Sequence, residues 1–461
     1  MKRRPRRSLS GTGPGSDGIN LHVYPSAITH ESRIEKEVQS IQRLGVFEAI
    51  EVAGVQPGGL PPVQSWGAGV TIRRFASDSG SPRVARKVTK TVGFGLGIAR
   101  HYSKKRVACI NCHSVAALPA CLLLKWRTGA CLVYDTHELE TETQGLRGLR
   151  KLLLKGIERV GLRFVDCSLF VTKSIEDWYL RTYALSAHAV AYNYPLARAD
   201  DTYARPRHFH EKWDLPASTR IFLYQGVVGE ARGVPELLET FADPPTSDVV
   251  LVVMGYGPLV EDVRAYAARS ASIYFHEAVE TAHLADYTRS ADFGACLIGG
   301  ATADLSLSYE YSGPNKLYQY IQAGIPVLAS NIPEQALVLN TYPVGLLAYD
   351  VSVESVRAGV ERLAALGDAP FREGLREAAE MFVWERYDQL FADLYSGGRS
   401  DPPKVGFGRM GAARRRRLGV GLDRGDAARA PGRPIAAGGH QSRCAPRPVE
   451  QGVNACVDTV P

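Results

Sequence analysis

Short apolar runs alternate with stretches of helical periodicity along most of the chain. In the first half the runs have the length of β-strands and cover 19–24, 49–55, 107–111, 130–135 and 167–172. The pattern is lost over 193–213 and starts again with runs at 220–226, 249–255, 272–277, 293–298 and 325–330. Alternating strands and helices predict parallel sheets covered on both faces, and the restart indicates two such α/β domains. Because ligands bind beyond the carboxyl ends of such strands, we expect a site in the cleft between the domains.

The clearest helix-to-strand unit covers residues 312–334. Ser312 or Gly313 can cap a helix, and Pro314 suits its first position, where a missing N–H loses no bond. Gly324 can end the helix in the left-handed conformation. Three apolar residues share the face that a core would cover: Leu317, Tyr320 and Ile321. The apolar run that follows predicts a buried strand, so the segment is half of a βαβ unit.

The start of this helix is a candidate anion site. Free backbone N–H groups of Asn315 and Lys316, together with the lysine charge, favour a bound phosphate. The alternative is an ordinary α/β helix with a good cap. Arg232 follows the first strand of the second domain where the loop enters a helix, a position typical of arginines that bind phosphate. Gly255 and Gly257 end the next strand and permit a ligand to approach the backbone closely.

In the first domain, polar residues end two of the predicted strands. Asp135, His137 and Glu138 end one of them, and a histidine there can act as an acid, a base or an oxyanion partner. The alternative is a hydrogen-bonded structural histidine. His113 ends a second strand, and we expect it to be structural. The glycine-rich segment 93–97 resembles a dinucleotide fingerprint but follows a helix-like segment, so we reject that interpretation.

Composition narrows the class of protein. The 461 residues are 45% hydrophobic, enough for two domain cores, without an apolar run of about 20 residues that could span a membrane. The net charge of +7 lies in residues 399–461, with 12 Lys/Arg and 5 Asp/Glu, because the other 398 residues carry 43 of each. The balance of charges in residues 1–398 argues against specific nucleic-acid binding.

The sequence also predicts the cellular compartment. The first residues lack the apolar stretch of a secretory signal, and the eight cysteines show no disulfide framework or zinc spacing. Both features predict a reducing cytoplasm.

Two basic segments stand out within residues 1–398. Residues 82–106 contain eight Lys/Arg and no acid, and residues 146–164 combine leucines with six Lys/Arg in the pattern of a basic amphipathic helix. Such a helix is usually the solvated face of a core helix. The other interpretation is peripheral contact with an anionic membrane surface.

Eight segments occur in the order seen in retaining glycosyltransferases of family 4, which the chain resembles over about residues 18–396: THESRIEKEVQSIQRLG, NCHSVAALPA, VYDTHELETE, YQGVVGEARGVPELL, MGYGP, SADFGACL, SGPNKLYQYIQAGIPVLAS and FVWERYDQLFADLY. The resemblance implies the GT-B fold, with two Rossmann-like parallel-sheet domains facing across a cleft. The implied boundaries are an acceptor domain 18–200, a linker 201–218, a nucleotide-sugar domain 219–368 and a helix 369–396 that crosses back to the first domain. Composition predicts a disordered leader 1–17, which is basic and then Gly/Ser-rich, and a disordered basic tail 397–461, which is rich in Gly, Ala, Arg and Pro.

By resemblance, His137, Arg232 and Lys316 are the catalytic candidates. The implied donor-binding residues are Gly226, Gly233, Gly255, Gly257, Glu310, Tyr311, Gly313, Pro314, Asn315 and Gln319. The chain departs from the family's pair of glutamates: Gln319 replaces the one that binds ribose, and Tyr311 replaces the other, with Glu310 one residue out of register. Val227 stands where the family has a second basic residue. Lys316 can supply the positive charge that is missing there.

The resemblance implies transfer of a sugar from a nucleotide-diphosphate sugar to a glycan or lipid-linked acceptor, with retained configuration and with no metal or other cofactor. The leaving diphosphate helps to deprotonate the acceptor, and fixed cations stabilise its charge. We expect a role in the synthesis of cell-surface or secreted polysaccharide or glycoconjugate. Two alternatives stay open. One is an inactive nucleotide-sugar-binding protein, because the two glutamates are absent. The other is a sugar-nucleotide epimerase, which has less support because this sequence shows no clustered carboxylates for acid–base chemistry.

Overall fold

The chain folds around two parallel β-sheets. A computed structural model describes residues 16–29, 31–67, 69–76, 83–197, 205–244, 246, 248–300 and 305–395, without the side chains of 16–17 and 83–91. The expected tail 397–461 lies outside the described residues, as does the expected leader up to residue 15. Residues 16 and 17 belong to the first strand.

The first sheet has eight strands in the order β3-β4-β2-β1-β5-β6-β7-β8, all parallel except β3, which pairs antiparallel with β4. The strands are β1 Ser16–Val23, β2 Phe47–Val55, β3 Val63–Ser65, β4 Val70–Phe75, β5 Val107–Cys112, β6 Cys131–Thr136, β7 Cys167–Phe170 and β8 His188–Val190. The helices are α1 Ser32–Leu44, α2 Arg83–Tyr102, α3 Leu118–Thr128, α4 Gly148–Gly161 and α5 Lys173–Thr182.

The five strands predicted in this half are confirmed, and β3, β4 and β8 are additional. β3 is exposed throughout, and β4 alternates buried and half-buried residues that include two arginines, so neither forms an apolar run. The segment 93–97 lies inside α2, which confirms that it is not a dinucleotide-binding turn.

The second sheet has six parallel strands in the order β11-β10-β9-β12-β13-β14. They are β9 Arg220–Val227, β10 Val249–Tyr256, β11 Ile273–Glu277, β12 Phe293–Cys296, β13 Val327–Ser330 and β14 Gly345–Ala348. The helices are α6 His208–Trp213, α7 Val234–Ala242, α8 Val260–Ala267, α9 Thr281–Arg289, α10 Leu307–Glu310, α11 Asn315–Ala323, α12 Pro333–Thr341, α13 Val353–Leu366, α14 Arg372–Met381 and α15 Asp388–Tyr395.

The last helix, α15, packs on α1 of the first domain. Asp388 Oδ1 accepts a hydrogen bond from Ser40 Oγ at 2.8 Å, and the buried Trp384 donates its indole N–H to the same hydroxyl at 3.0 Å. Tyr395 donates to Asn111 Oδ1 at 2.6 Å in the interior of the first domain. Aromatic burial and these polar contacts anchor the end of the described chain to the domain in which it began.

Helix α11 begins differently from the prediction in one detail. Its N-cap is Pro314, with φ −61° and ψ 129°, and no side chain caps it, so the expectation that Ser312 or Gly313 caps the helix is wrong. The Ser312 hydroxyl instead donates to the carbonyl of Tyr309 at 2.7 Å. Gly324 ends the helix at φ 70°, as predicted. The three apolar residues predicted to face the core are fully buried: Leu317, Tyr320 and Ile321.

None of the helices in the described part of the chain is both long enough and apolar enough to cross a bilayer.

Candidate functional site

The carboxyl ends of β9 and β10 bring predicted glycines together. Gly226 and Gly255 are paired residues on these neighbouring strands. A Cβ atom on Gly255, which has φ 157°, would lie 1.9 Å from the carbonyl oxygen of Gly226, so only glycine fits there. A Cβ atom on Gly257 would likewise lie too close to its neighbour, at 2.3 Å from the carbonyl oxygen of Val228. Gly255 and Gly257 are therefore required by the close approach of neighbouring backbone, whereas nothing lies within 4 Å of a Cβ atom built on Gly226, so the sheet edge is open at that position.

Arg232 lies just before α7, and Gly233 is the residue that precedes this helix, with φ 68°. A backbone bridge joins Arg232 to Gly299, in the segment after β12, so the two loops are held side by side. The guanidinium carbon lies 5.2 Å from the centre of the Tyr309 ring, in a cation–π contact. The arginine is half-buried at the carboxyl edge of the second sheet.

Lys316, in the first turn of α11, is buried, with 7% of its surface exposed. Its Nζ lies 3.8 Å from the centre of the Tyr224 ring and has no hydrogen-bond partner within the described part of the chain. Burial lowers the pKa of Lys316 to about 7, with a partial offset from Cys296 and a further lowering by the charge of Arg232. A buried ammonium without an acceptor is unfavourable, so this amine is suited to receive an anion.

Gln319, one turn further along α11, has a fixed orientation. Its Oε1 accepts a hydrogen bond from Gln225 Nε2 at 2.7 Å, and Gln225 Oε1 accepts one from Thr288 Oγ1 at 2.9 Å. Because Gln319 uses its oxygen in this chain, its amide N–H groups are the ones that it can offer to a ligand.

The predicted residues between α10 and α11 lie against the first domain. Thr172 Oγ1 donates to the carbonyl of Tyr311 at 2.9 Å, and a Cβ atom on Gly313 would lie 2.9 Å from Thr172 Cγ2. Asn315 Oδ1 accepts from Asn193 Nδ2 at 3.0 Å. These three positions, with Pro314 between them, therefore line the junction of the two domains.

A second contact crosses the cleft near α10. Ser308 Oγ donates to Glu138 Oε2 at 3.4 Å, and Glu310 ends the same helix. Glu138 directly follows His137, so this bond brings the loop after β6 to the segment that carries Glu310. This contact places the loop that carries His137 beside helix α10 of the second domain.

His137 stands above a buried polar cluster. His137 Nε2 lies 3.2 Å from Asp135 Oδ2 and 3.0 Å from His113 Nδ1, and His113 Nδ1 lies 3.0 Å from the same carboxylate oxygen. His113 Nε2 lies 2.8 Å from Nδ1 of His22. The ring of Tyr24 tilts over His137 at 5.2 Å between centres. The imidazole is thus positioned from below by a carboxylate and from the side by an aromatic ring.

The charges of the cluster are set by burial and by Arg33. Burial alone would raise the pKa of Asp135, but Arg33 and the two histidine hydrogen bonds hold it well below its usual range. Arg33 donates to both oxygens of Asp135, at 2.6 Å from Nη2 to Oδ1 and 2.9 Å from Nε to Oδ2. Burial lowers the pKa of His113 to about 4, against the opposing effect of Asp135. Burial raises the pKa of Glu37, an ion-pair partner of Arg33, well above its usual range.

The same cluster contains the donor atoms of a potential metal site. One atom each from His113, Asp135 and His137 lies within 3.0–3.2 Å of the other two, a separation that a tetrahedral divalent ion could bridge. Arg33 competes for the carboxylate, since its guanidinium already binds both oxygens.

Sequence reasoning identified Arg232, Lys316 and His137 but not the groups that position them. The missed residues are Tyr224 and Tyr309 beside the cations, Gln225 beside Gln319, and His22, Arg33 and Glu37 below His137. His113 is fully buried and hydrogen-bonded, as expected of a structural histidine, yet it also touches His137. A sequence signal existed for Arg33, since it lies in THESRIEKEVQSIQRLG, one of the segments that carry the family resemblance.

Comparisons with known proteins identify solved structures that this architecture resembles. No family model and no curated protein matches the sequence. Among solved structures, sucrose-phosphate synthase from Thermosynechococcus elongatus is 17% identical, with a TM-score of 0.65, over 82% of this chain and 98% of its own. HepE from Anabaena, in complex with UDP and glucose, is 12% identical, with a TM-score of 0.61, over 83% and 100%. WaaG, a glycosyltransferase involved in lipopolysaccharide biosynthesis, is 14% identical, with a TM-score of 0.57, over 83% and 100%.

These similarities, together with the two facing parallel-sheet domains, show that the chain has the GT-B fold of glycosyltransferases.

Proposed function

We propose that the chain is a retaining glycosyltransferase that moves a sugar from a nucleotide-diphosphate sugar to a glycan or lipid-linked acceptor. The observation that carries this proposal is the buried Lys316 amine, which has no hydrogen-bond partner among the described residues and lies near Arg232. Two cations at the carboxyl edge of the second sheet match a diphosphate in charge. The GT-B fold and the UDP bound to HepE agree with such a ligand.

The donor would lie with its diphosphate between Arg232 and the start of α11. Gln319 would donate its amide N–H groups to the ribose hydroxyls, without the charge of the glutamate that it replaces. Gly226 leaves its part of the sheet edge open to the nucleotide, and Gly255 and Gly257 let the neighbouring backbone pack closely beside it. Gly233 directly precedes the next helix beside Arg232, and the backbone N–H groups in the first turn of that helix form the positive end of its dipole.

During transfer the bond between the sugar and the diphosphate breaks, and negative charge grows on the leaving group. Arg232 and a protonated Lys316 would stabilise that charge in a site from which water is largely excluded. The leaving diphosphate would take the proton of the acceptor hydroxyl on the same face of the sugar, so that the configuration is retained. The two side chains supply the positive charge at the diphosphate, and the proposal uses no metal there.

His137 would approach the transferred sugar from the first domain. Its ring is positioned by Asp135 and His113 and covered by Tyr24, so it can offer a fixed hydrogen bond at the reacting sugar. We place the acceptor on this side of the cleft and the reaction in the cytoplasm. All six described cysteines are free, which agrees with a reducing compartment.

The test begins with a thermal-shift screen of UDP-, GDP- and other activated sugars against the wild type and Lys316→Met. Wild type should be stabilised by one class of donor, and the variant should lose most of that shift. Lys212→Met, at an exposed position of helix α6, is the matched control and should behave as wild type. NMR of the sugar released by slow donor hydrolysis should show retained configuration, and inversion would refute the mechanism.

An inactive nucleotide-sugar-binding protein is the second candidate, because Gln319 and Tyr311 stand where the family has glutamates. It predicts the same thermal shift with no hydrolysis and no transfer to lipid-linked acceptors. Restoring carboxylates with Tyr311→Glu and Gln319→Glu would then create activity, whereas an active wild type would rule this candidate out.

A further inference from the structure

Helix α4 turns an apolar face toward solvent. Leu149, Leu152, Leu153 and Val160 are between 54% and 86% exposed. At 100° per residue these four side chains fall within an arc of about 100°, so they form one stripe along the outside of the helix. Surface helices normally present polar residues outward, which makes this stripe a candidate interaction surface.

A buried side chain fixes the orientation of α4 about its own axis. Glu158 is buried and accepts hydrogen bonds from three tyrosine hydroxyls, with 2.9 Å to Tyr134, 2.9 Å to Tyr183 and a shorter contact to Tyr179. Turning the leucines inward would expose this carboxylate and break all three bonds. The polar anchor therefore holds the apolar stripe in solvent.

Exposed arginines flank the stripe. Arg150 lies on one side of the helix and Arg159 on the other, and Arg147 and Arg163 lie beyond its two ends. Among the described residues, Arg147, Arg150 and Arg163 make no ion pair. The lysines of the helix differ, since Lys151 and Lys155 both pair with Glu142.

Two aromatic residues extend this surface. Trp126 near the end of α3 is 81% exposed, and Phe164 just after α4 is 57% exposed. The ammonium of Lys125 pairs with Asp166, which brings the segments that carry the two rings beside each other. We call the α4 face the surface formed by Leu149, Leu152, Leu153, Val160, Trp126, Phe164 and the four flanking arginines.

We propose that the α4 face docks on an anionic lipid bilayer, with α4 lying in the plane of the interface. The leucines and aromatic rings would enter the boundary between headgroups and acyl chains, and the arginines would contact lipid phosphates. Charge complementarity selects this partner. A symmetric contact between two copies through the same face would bring like-charged arginines together. Docking itself does not depend on the proposed function. Its consequence does rest on that function: the acceptor domain would meet lipid-linked acceptors at the membrane.

The experiment uses the full chain, without nucleotide sugar, in flotation with two kinds of vesicle: phosphatidylcholine alone, and equal parts of phosphatidylcholine and phosphatidylglycerol. Wild type should float with the anionic vesicles. Replacing Leu149, Leu152 and Leu153 by Gln should weaken binding at least tenfold. Replacing Arg150, Arg159 and Arg163 by Gln should weaken it by roughly a hundredfold at low salt, about fivefold for each charge.

A matched control carries Leu337→Gln and Arg376→Gln, two exposed positions of the second domain, and should bind as wild type. The basic residues 399–461 could bind anionic lipid by themselves, but they are identical in every variant. A difference between variants therefore reports the α4 face and not the tail. If the leucine-substituted protein binds the anionic vesicles as tightly as wild type, the proposal is overturned, as it is by equal binding to both kinds of vesicle.

Two more readouts complete the test. Brominated lipid should quench part of the tryptophan fluorescence of wild type and less of it in Trp126→Phe, and equal quenching would contradict insertion of this face. If sedimentation without lipid shows a dimer that the leucine substitutions dissociate, the face belongs to a second copy and the proposal is wrong. Donor-induced thermal shifts, measured without lipid, should be unchanged in all variants, so lipid binding and the proposed function fail independently.

Discussion

Replacing Lys316 by Met removes a buried charge while keeping the length of the side chain. A fall in the lysine pKa from 10.5 to about 7 corresponds to about 5 kcal/mol of destabilisation when the amine is charged in both the folded and unfolded states. Without donor, Lys316→Met should therefore be more stable than wild type at pH 6, by up to about 5 kcal/mol.

The sign of the pH dependence follows from proton binding. Between pH 7 and 10.5 the unfolded chain holds the Lys316 proton and the folded chain does not, so wild type gains stability as pH rises. The advantage of the methionine variant should be full below about pH 7 and fall to about 2 kcal/mol at pH 9. Calorimetric unfolding of both proteins at pH 6, 7.5 and 9 measures this difference, with Lys212→Met as the control for loss of an exposed lysine.

Donor binding should reverse the order of stability, so that wild type becomes more stable than Lys316→Met. A diphosphate beside Lys316 restores its proton, so wild-type affinity should be constant below pH 7 and fall by up to tenfold per pH unit above it, with proton uptake on binding. The variant should bind weakly at every pH and turn over about a hundredfold more slowly, the loss of about 3 kcal/mol in the transition state. If Lys316→Met is no more stable than wild type at pH 6 and binds donor equally well, the anion-site reasoning is refuted.

Four further substitutions separate binding, turnover and fold. Arg232→Ala should weaken donor binding and slow transfer by about a hundredfold, with Arg269→Ala as the exposed control, and unchanged titration calorimetry and kinetics would contradict this. Gln319→Ala should raise the KM for donor with little change in kcat, because ribose lies away from the reacting bond. His137→Ala should lower kcat with little loss of donor affinity, so a pure KM effect would remove its proposed role. Gly255→Ala should destabilise the second domain by more than about 2 kcal/mol in urea unfolding, because its Cβ cannot be accommodated beside the Gly226 carbonyl.

The sequence by itself determined the α/β class, the two-domain division and ten of the fourteen strands. Most residues of those ten strands are buried or half-buried, so each strand appears as an apolar run without reference to any neighbour. β3, β4, β8 and β14 are short or half-exposed and have no such pattern, and only their pairing partners define them as strands.

The candidate site divides in the same way. Local chemistry was enough to single out Arg232, Lys316 and His137, because each follows a strand end or begins a helix. That Lys316 is buried, unpaired within the described chain and under the influence of Arg232 depends on residues far apart in sequence. The cluster of His22, His113 and Asp135 below His137 is likewise assembled by three neighbouring strands, β1, β5 and β6.

Helix α4 shows most directly what the tertiary structure decided. Its sequence predicts an amphipathic helix with a basic face, and a helix of that kind would normally place its leucines in the core. The structure places Leu149, Leu152 and Leu153 in solvent because Glu158 is held inside by three tyrosines that come from β6 and α5 and from the residue after α5. Periodicity fixes which residues share a face, but the buried partners of one carboxylate decide which face points outward.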